Sequence, residues 1–195
     1  MADDKAATAV RLSNSSISQV SSIVCPLDLQ HALSAAKEIR YPVVMKRTHG
    51  ANGRWVRRAE DPASLAKEFR ELESGGPGSL IIQPQVADFY GRSIRALITG
   101  GSVLATELRV APENEWRSNI TYGATQYPVD LTPVETELAE NAARTIGLDH
   151  AGIDILRTAR GPLILEVNSY PDFTKMISRF SEDLARAVLL ACLPS

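Results

Sequence analysis

Between Leu29 and Ile39 the apolar residues fall at Leu29, Ala32, Leu33, Ala36 and Ile39, the 3.6-residue spacing of a helix with one buried face. Asp28 stands just ahead of them, where its carboxylate can accept the first free backbone N–H groups, so a helix is predicted to start here. The same reasoning predicts a helix over 62–74, opened by Asp61-Pro62 and stopped by Ser74-Gly75-Gly76-Pro77-Gly78. It predicts another over 133–146, opened by Thr132-Pro133-Val134-Glu135 and stopped by Gly147. Asp3 and Asp4 are placed to cap a first helix with Lys5 in its first turn, and a last helix is expected over about 180–192. Short β-branched and apolar runs mark strands instead: Ser22 to Cys25 ending at Pro26, Pro42 to Lys46, Arg54 to Arg57, and Leu80 to Gln83 breaking at Pro84. Ser93 to Thr99 and Ser102 to Arg109 flank Gly100-Gly101, a hairpin turn. Ile153 to Thr158 and Leu163 to Asn168 flank Ala159-Arg160-Gly161-Pro162, a second hairpin. Helices and hairpins in this order, without regular strand–helix–strand alternation, imply an α+β chain in two lobes.

Composition narrows the classes. The 195 residues are 44% hydrophobic and 23% charged with a formal net charge of −2, ordinary for a globular chain with one core divided between two lobes. Near neutrality argues against a dedicated nucleic-acid binder. Cys25 and Cys192 are far apart and lack CxxC spacing, so neither a zinc site nor a disulfide framework is expected. The start, MADDKAATAV, is acidic and has no apolar h-region; the apolar run from Ala185 to Leu193 is too short for a bilayer and contains Arg186. A cytoplasmic protein without a membrane partner is expected.

Candidate chemistry begins with ILEVNSY, residues 164–170. In a strand, Glu166 and Asn168 share a face. If the second hairpin pairs across Arg160-Gly161, Asp154 falls close to opposite Glu166, and three oxygen donors converge. Two carboxylates held together repel unless a cation neutralises them. A hard divalent ion bridging to phosphate answers this, and a solvated sheet edge is the plainer alternative. Lys46 ends a buried-looking strand and runs into THGANG, whose Gly50 and Gly53 let backbone N–H groups approach phosphate closely. This is strand–glycine loop–strand, unlike the strand–glycine loop–helix of dinucleotide and P-loop sites.

In these motifs and their order the chain resembles the ATP-grasp superfamily, in particular its RimK-like and LysX-like ligases, from Asp4 to about Met176. DKAATAVRL is similar to the start of the family's nucleotide domain, which makes Lys5 a phosphate contact. YPVVMK is similar to the strand with the second phosphate lysine, Lys46. GANGR is similar to the mobile glycine loop, so that Gly50, Gly53 and Arg54 join the nucleotide set. LIIQPQV takes the place of the hinge that holds adenine, with Gln83, Gln85 and Val86 lining it. SIRALITGG resembles the D-I-R strand, giving Arg95, and EWRSN the R-S-N element, giving Arg117 and Asn119. AGIDILRTARGPLILEVNSYPDF resembles the magnesium hairpin, in which Asp154, Glu166 and Asn168 are the ligands and Glu166 bridges two Mg²⁺ ions, with Mn²⁺ as a substitute.

The resemblance implies an ATP-grasp fold over residues 1–195. The small lobe would be about 20–83, with the glycine loop; 1–19 and 84–195 would form the large lobe with the metal site. It implies an ATP- and Mg²⁺-dependent ligase joining a carboxylate to an amine through an acyl phosphate. The amine would be an amino acid such as glutamate, or the substrate a protein C-terminal tail. Arg95, Arg117 and Asn119 would act on the transferring group. The histidines His31, His49 and His150 receive no role, and no general base stands out. Three departures temper this. The α/β domain that precedes the nucleotide region in the family is not in this sequence, which reads as a fragment, a shortened gene or a chain that borrows the domain; a homo-oligomer or a partner supplying it is expected, with the apolar helix carrying Val188, Leu189, Leu190 and Leu193 as its contact. Ser93 replaces the aspartate of D-I-R, which bears on nucleotide affinity. Pro84 stands where the hinge is commonly acidic. The first and second support the alternative of a nucleotide-binding module or pseudoenzyme that needs a partner chain.

Overall fold

Lys46 is buried on an inner strand, and the sheet around it explains why. The computed structural model describes residues 4–50, 52–174, 176 and 182–191. Strands β1 (Ile23–Pro26), β2 (Val43–Arg47), β3 (Val56–Ala59) and β4 (Ser79–Pro84) form an antiparallel sheet in the order β1-β4-β2-β3. Val43, Val44, Met45 and Lys46 are all buried in its middle. Helices α1 (Lys5–Asn14), α2 (Leu29–Ile39) and α3 (Pro62–Glu73) have the predicted starts. The Asp28 carboxylate accepts from His31 N at 3.0 Å. Asp61 and Ser64 cap α3 reciprocally, at 2.7 and 3.1 Å. Ala32 and Ala36 of α2 and Leu65 and Leu72 of α3 close over Met45, Leu80 and Ile82.

The second sheet holds the candidate chemistry on one face and the core on the other. Its strands are β5 (Arg92–Thr99), β6 (Ser102–Val110), β7 (Thr125–Pro128), β8 (His150–Thr158) and β9 (Gly161–Asn168), antiparallel in the order β7-β6-β5-β8-β9. Strand alternation puts Ile94, Ala96, Ile98, Ile153 and Ile155 against Leu12 of α1 and Ala139, Ala142 and Ala143 of α4 (Pro133–Ile146). The residues between them, Ser93, Arg95 and Asp154, point to the other face, where Glu107, Arg109 and Gln126 are also buried. Helix α5 (Glu182–Ala191) covers only one end of that face, with Leu184 and Val188 on Leu97. The other end opens toward the first sheet.

The segment from α1 to β1 stitches the sheets together. Lys5 N donates to Thr48 O at 3.0 Å, and Ile164 and the Ser18–Val20 stretch exchange two backbone bonds at 2.9 and 3.0 Å. Differences from expectation are local. Thr158 pairs with Gly161, so the second hairpin turns on Ala159-Arg160 alone and β9 starts earlier. Arg54 and Trp55 lie in a turn rather than in the strand. Strand β7, four residues ending in Pro128, pairs only with β6, and its sequence has too few apolar positions to announce it. Asp3, the loop residue Ala51, positions 180–181, Cys192 and Leu193 lie outside the described residues. No described helix is long and apolar enough to cross a membrane.

Leu65 is 0% exposed in the first core and Leu189 69% exposed on α5. Leu65→Ala is therefore expected to lower unfolding free energy by about 2–5 kcal/mol. Leu189→Ala is expected to stay within about 0.5 kcal/mol, both read from chemical denaturation midpoints.

Candidate functional site

A cavity of about 300 Å³ lies between the two sheets, and its floor is the polar end of the second. The register sets that floor. Asp154 on β8 is opposite Glu166 on β9 and Arg95 on β5, and Asn168 is opposite Gly152. Arg95 grips Asp154 side-on, Nε to Oδ1 at 2.6 Å and Nη2 to Oδ2 at 2.8 Å. Burial alone would push the Asp154 carboxyl up; Arg95, with Arg109 and Lys46, outweighs it and holds the group below the usual carboxylate range. The Arg95 side chain lies against Gly152. A Cβ there would stand 2.7 Å from Arg95 Nη1 and 2.9 Å from Pro171 Cβ, so a side chain at this position would crowd both. The Asn168 amide satisfies its neighbours when its nitrogen donates to Glu166 Oε1 at 3.3 Å and its oxygen accepts from Arg95 Nη2 at 3.1 Å.

Cations and the glycine loop face this oxygen cluster. Lys5 Nζ lies 3.4 Å from Glu166 Oε1 and donates to Gly50 O at 2.6 Å. Lys46 lines the same cavity; burial lowers its pKa, and Lys5 adds to this while Glu166 and Asp154 oppose it. The loop is fastened to the far wall, with Thr121 Oγ1 donating to Asn52 O at 3.1 Å and the Tyr122 hydroxyl donating to Gly53 O at 3.3 Å. Gly53 has φ 70°, and a Cβ on it would stand 2.9 Å from Asn119 Oδ1, so the loop closes this tightly only with glycine. Arg54 does not join the wall of the cavity: its guanidinium lies over the Trp55 ring, 4.8 Å from the centroid.

Arg117 forms the opposite corner. Glu115 takes its Nε at 3.0 Å and its Nη2 at 2.8 Å, and Tyr122 carries its planar face at 3.6 Å. These bonds to Arg117, together with the backbone N–H groups of Arg117 and Trp116, outweigh partial burial and bring the Glu115 pKa to about 2. The Ser93 hydroxyl meets the Ser118 hydroxyl at 2.7 Å. At the other end, Gln83 donates to Ser22 Oγ at 2.9 Å, while its buried Oε1 has no hydrogen-bond partner among the described residues. Gln85 is tied to Arg58 Nε, and Val86 lines the wall beside it. Every expected site residue except Arg54 thus borders one space.

Three kinds of ligand chemistry fit what borders it. Two carboxylates and an amide oxygen within one strand pair are hard donors suited to a divalent ion that also holds phosphate. Among the described residues no cluster of three His, Cys, Asp or Glu gathers, which disfavours an all-protein cage. The partnerless Gln83 oxygen suits an N–H donor, and the lysines suit phosphate. Sequence reasoning passed over Glu107, Arg109, Glu115 and Tyr122. Glu107 and Arg109, like Glu115 and Arg117, are pairs spaced by two; that spacing in or beside a strand was the available signal.

A family model described as the RimK-like ATP-grasp domain matches residues 2–191. The chain is 36% identical over 144 residues to the probable alpha-L-glutamate ligase of Parasynechococcus marenigrum (strain WH8102), covering 74% of this chain and 31% of that protein. It spans about a third to a half of the length of the curated relatives it matches. The RimK domain ATP-grasp protein of Sphaerobacter thermophilus DSM 20745 superposes over 98% of this chain and 68% of its own, with a TM-score of 0.76 at 22% identity. The D-alanine–D-alanine ligase of Bacillus anthracis, solved complexed with ATP, superposes over 97% and 65%, with a TM-score of 0.75 at 14% identity. At these identities the two structures show a common fold.

Glu115 titrates from its ordinary 4.5 to about 2 on folding, so its pairing stabilises the protein above about pH 4.5 and the benefit disappears as pH falls toward 2. Glu115→Gln is expected to be less stable than the native chain near neutral pH. The gap should narrow between about pH 4.5 and 2 in urea titrations.

Proposed function

The chain belongs to the RimK-like ATP-grasp family, and from that premise we propose that it is an ATP- and Mg²⁺-dependent ligase joining a carboxylate to an amine through an acyl phosphate. One observation carries the reading: Asp154, Glu166 and Asn168 face Lys5 and Lys46 beneath a glycine loop already fastened across the cavity. In this reading residues 20–83 form the lobe with the loop, and 1–19 with 84–195 the lobe with the oxygen cluster.

The assigned roles follow from charge. Asp154, Glu166 and Asn168 would hold Mg²⁺, which when bound neutralises the triphosphate and the charge that develops on transfer. Lys5 and Lys46 take phosphate oxygens from the opposite side. The Gln83 oxygen accepts from the adenine amino group, and Gln85 and Val86 frame the base. The substrate carboxylate attacks the γ-phosphorus, ADP leaves, and the amine then displaces phosphate from the acyl carbon. Arg117, fixed on an edge by Glu115 and on a face by Tyr122, offers its remaining N–H groups to the transferring group without reorganisation. Asn119 stands against Gly53, where the loop meets that group. The loop excludes water, which would hydrolyse an acyl phosphate. The relative named a probable alpha-L-glutamate ligase supports glutamate as the amine.

Ser93 favours a second reading. Its hydroxyl is spent on Ser118 rather than presenting a charge to the nucleotide, as expected of a binding module whose turnover awaits a partner chain.

Titration calorimetry of MgATP is expected to give metal-dependent binding that Asp154→Ala/Glu166→Ala weakens by about a hundredfold or more. ADP and phosphate release should require a carboxylate and an amine together. Absence of MgATP binding by the native chain would sink the proposal, whereas binding without turnover until another chain is added selects the second reading.

A further inference from the structure

Trp55 leaves the glycine loop half-buried, bordering the cavity and packing on the first core. The two ends of its indole meet two glycines. At the five-membered ring the backbone of Gly50 lies so close that a Cβ on it would stand 2.9 Å from Trp55 Cδ1. At the far corner of the six-membered ring a Cβ on Gly75 would stand 3.2 Å from Cζ2 and from Cη2. Gly50 belongs to the glycine loop, and Gly75 to the exposed turn that follows α3. The indole therefore spans the gap between that turn and the edge of the cavity.

Cations hold the ring in place. The Arg54 guanidinium is 4.8 Å from its centroid and that of Arg47 5.8 Å. Arg47 is itself anchored: Nη1 donates to Leu72 O at 2.7 Å and to Gly76 O at 2.8 Å, and Nη2 donates to Pro77 O at 2.7 Å. These carbonyls belong to the last turn of α3 and the turn after it, where partners within a helix run out. On the other side, the Gly50 carbonyl accepts from Lys5 Nζ at 2.6 Å, and the same ammonium stands 3.4 Å from Glu166 Oε1. The place of Gly50 thus bears on the place of Lys5. An unbroken line of contact runs from the turn after α3, through Arg47 and the indole, to Gly50 and the Lys5 ammonium. Close-packed groups pass on a displacement because little empty space absorbs it.

We propose that Trp55 is a positioning residue for the phosphate end of the cavity. Its indole seats Gly50, and through the Gly50 carbonyl the Lys5 ammonium, and is itself set from behind by the turn after α3. This rests on the ligase reading for the identity of the group that Lys5 takes, a nucleotide phosphate. A change at the exposed turn, which borders no part of the cavity, therefore alters nucleotide affinity.

The test is titration calorimetry of MgADP and of magnesium pyrophosphate, with each variant checked for folding by its melting curve. Trp55→Leu removes the seat. Gly75→Ala presses on it from behind: Gly75 is not at positive φ, so its new Cβ acts through the 3.2 Å approach to the indole and a 3.1 Å approach to Arg47 Nη1. Trp55→Leu is expected to weaken MgADP binding by about tenfold, and Gly75→Ala by about threefold. The double variant Trp55→Leu/Gly75→Ala separates a relay from general damage, because residues that act through one another are not additive. With leucine at position 55, Gly75→Ala is expected to leave MgADP affinity unchanged. Trp55→Phe, whose single ring spans less than an indole, takes the place of Trp55→Leu if that variant does not fold. Native MgADP affinity in both folded single variants overturns this inference and leaves the ligase reading standing. So does a loss from Gly75→Ala that is the same with and without the indole. Pyrophosphate binding that depends in this way on Trp55, in a chain that binds no nucleotide, does the reverse. A native chain that binds neither probe removes both.

Discussion

The buried pair of Arg95 and Asp154 is the constraint around which the rest is arranged. Two charges taken out of water are tolerated only with good geometry and their remaining donors and acceptors engaged. The side-on grip at 2.6 and 2.8 Å supplies the geometry. It also leaves little room at Gly152, where a Cβ would crowd the arginine side chain and Pro171. Asn168 supplies an acceptor for one of the remaining arginine donors, and Glu107 a second negative charge across the next strand. The floor of the cavity is thus a charged layer laid on a sheet whose other side is ordinary aliphatic core.

That division of faces was legible in the sequence where alternation was clean. Ile94, Ala96 and Ile98 against Ser93 and Arg95 read as a two-faced strand, and Ile153 and Ile155 around Asp154 read the same way. The helix starts were legible because capping residues do local work: Asp28, Asp61 and Thr132 satisfy N–H groups within three residues of themselves. The oxygen cluster was legible to within a residue because hairpin register follows from the turn, and an irregularity between Asp154 and Ile155 sets the final pairing of Asp154 with Glu166.

What escaped was long-range or conformational. Strand β7 exists because β6 has a free edge to pair with, a fact that four residues such as Thr125–Pro128 do not carry themselves. Glu107 drew no assignment because its environment comes from Gln126 and from Arg95, neither adjacent in sequence. Arg54 was grouped with the glycine loop on position alone. Its side chain instead finds the indole of its neighbour Trp55, a contact that a turn permits and an extended strand would not.

Tyr122 serves two masters. Its hydroxyl holds the carbonyl of Gly53 in the loop, and its ring is the shelf under Arg117. The glycine loop cannot lift away without giving up the tether on that side chain, and disturbing the ring frees the planar face of Arg117, leaving it the edge contact with Glu115. One phenol thus joins the glycine loop and Arg117 to the same wall of the cavity, so that a change at Tyr122 reaches both at once.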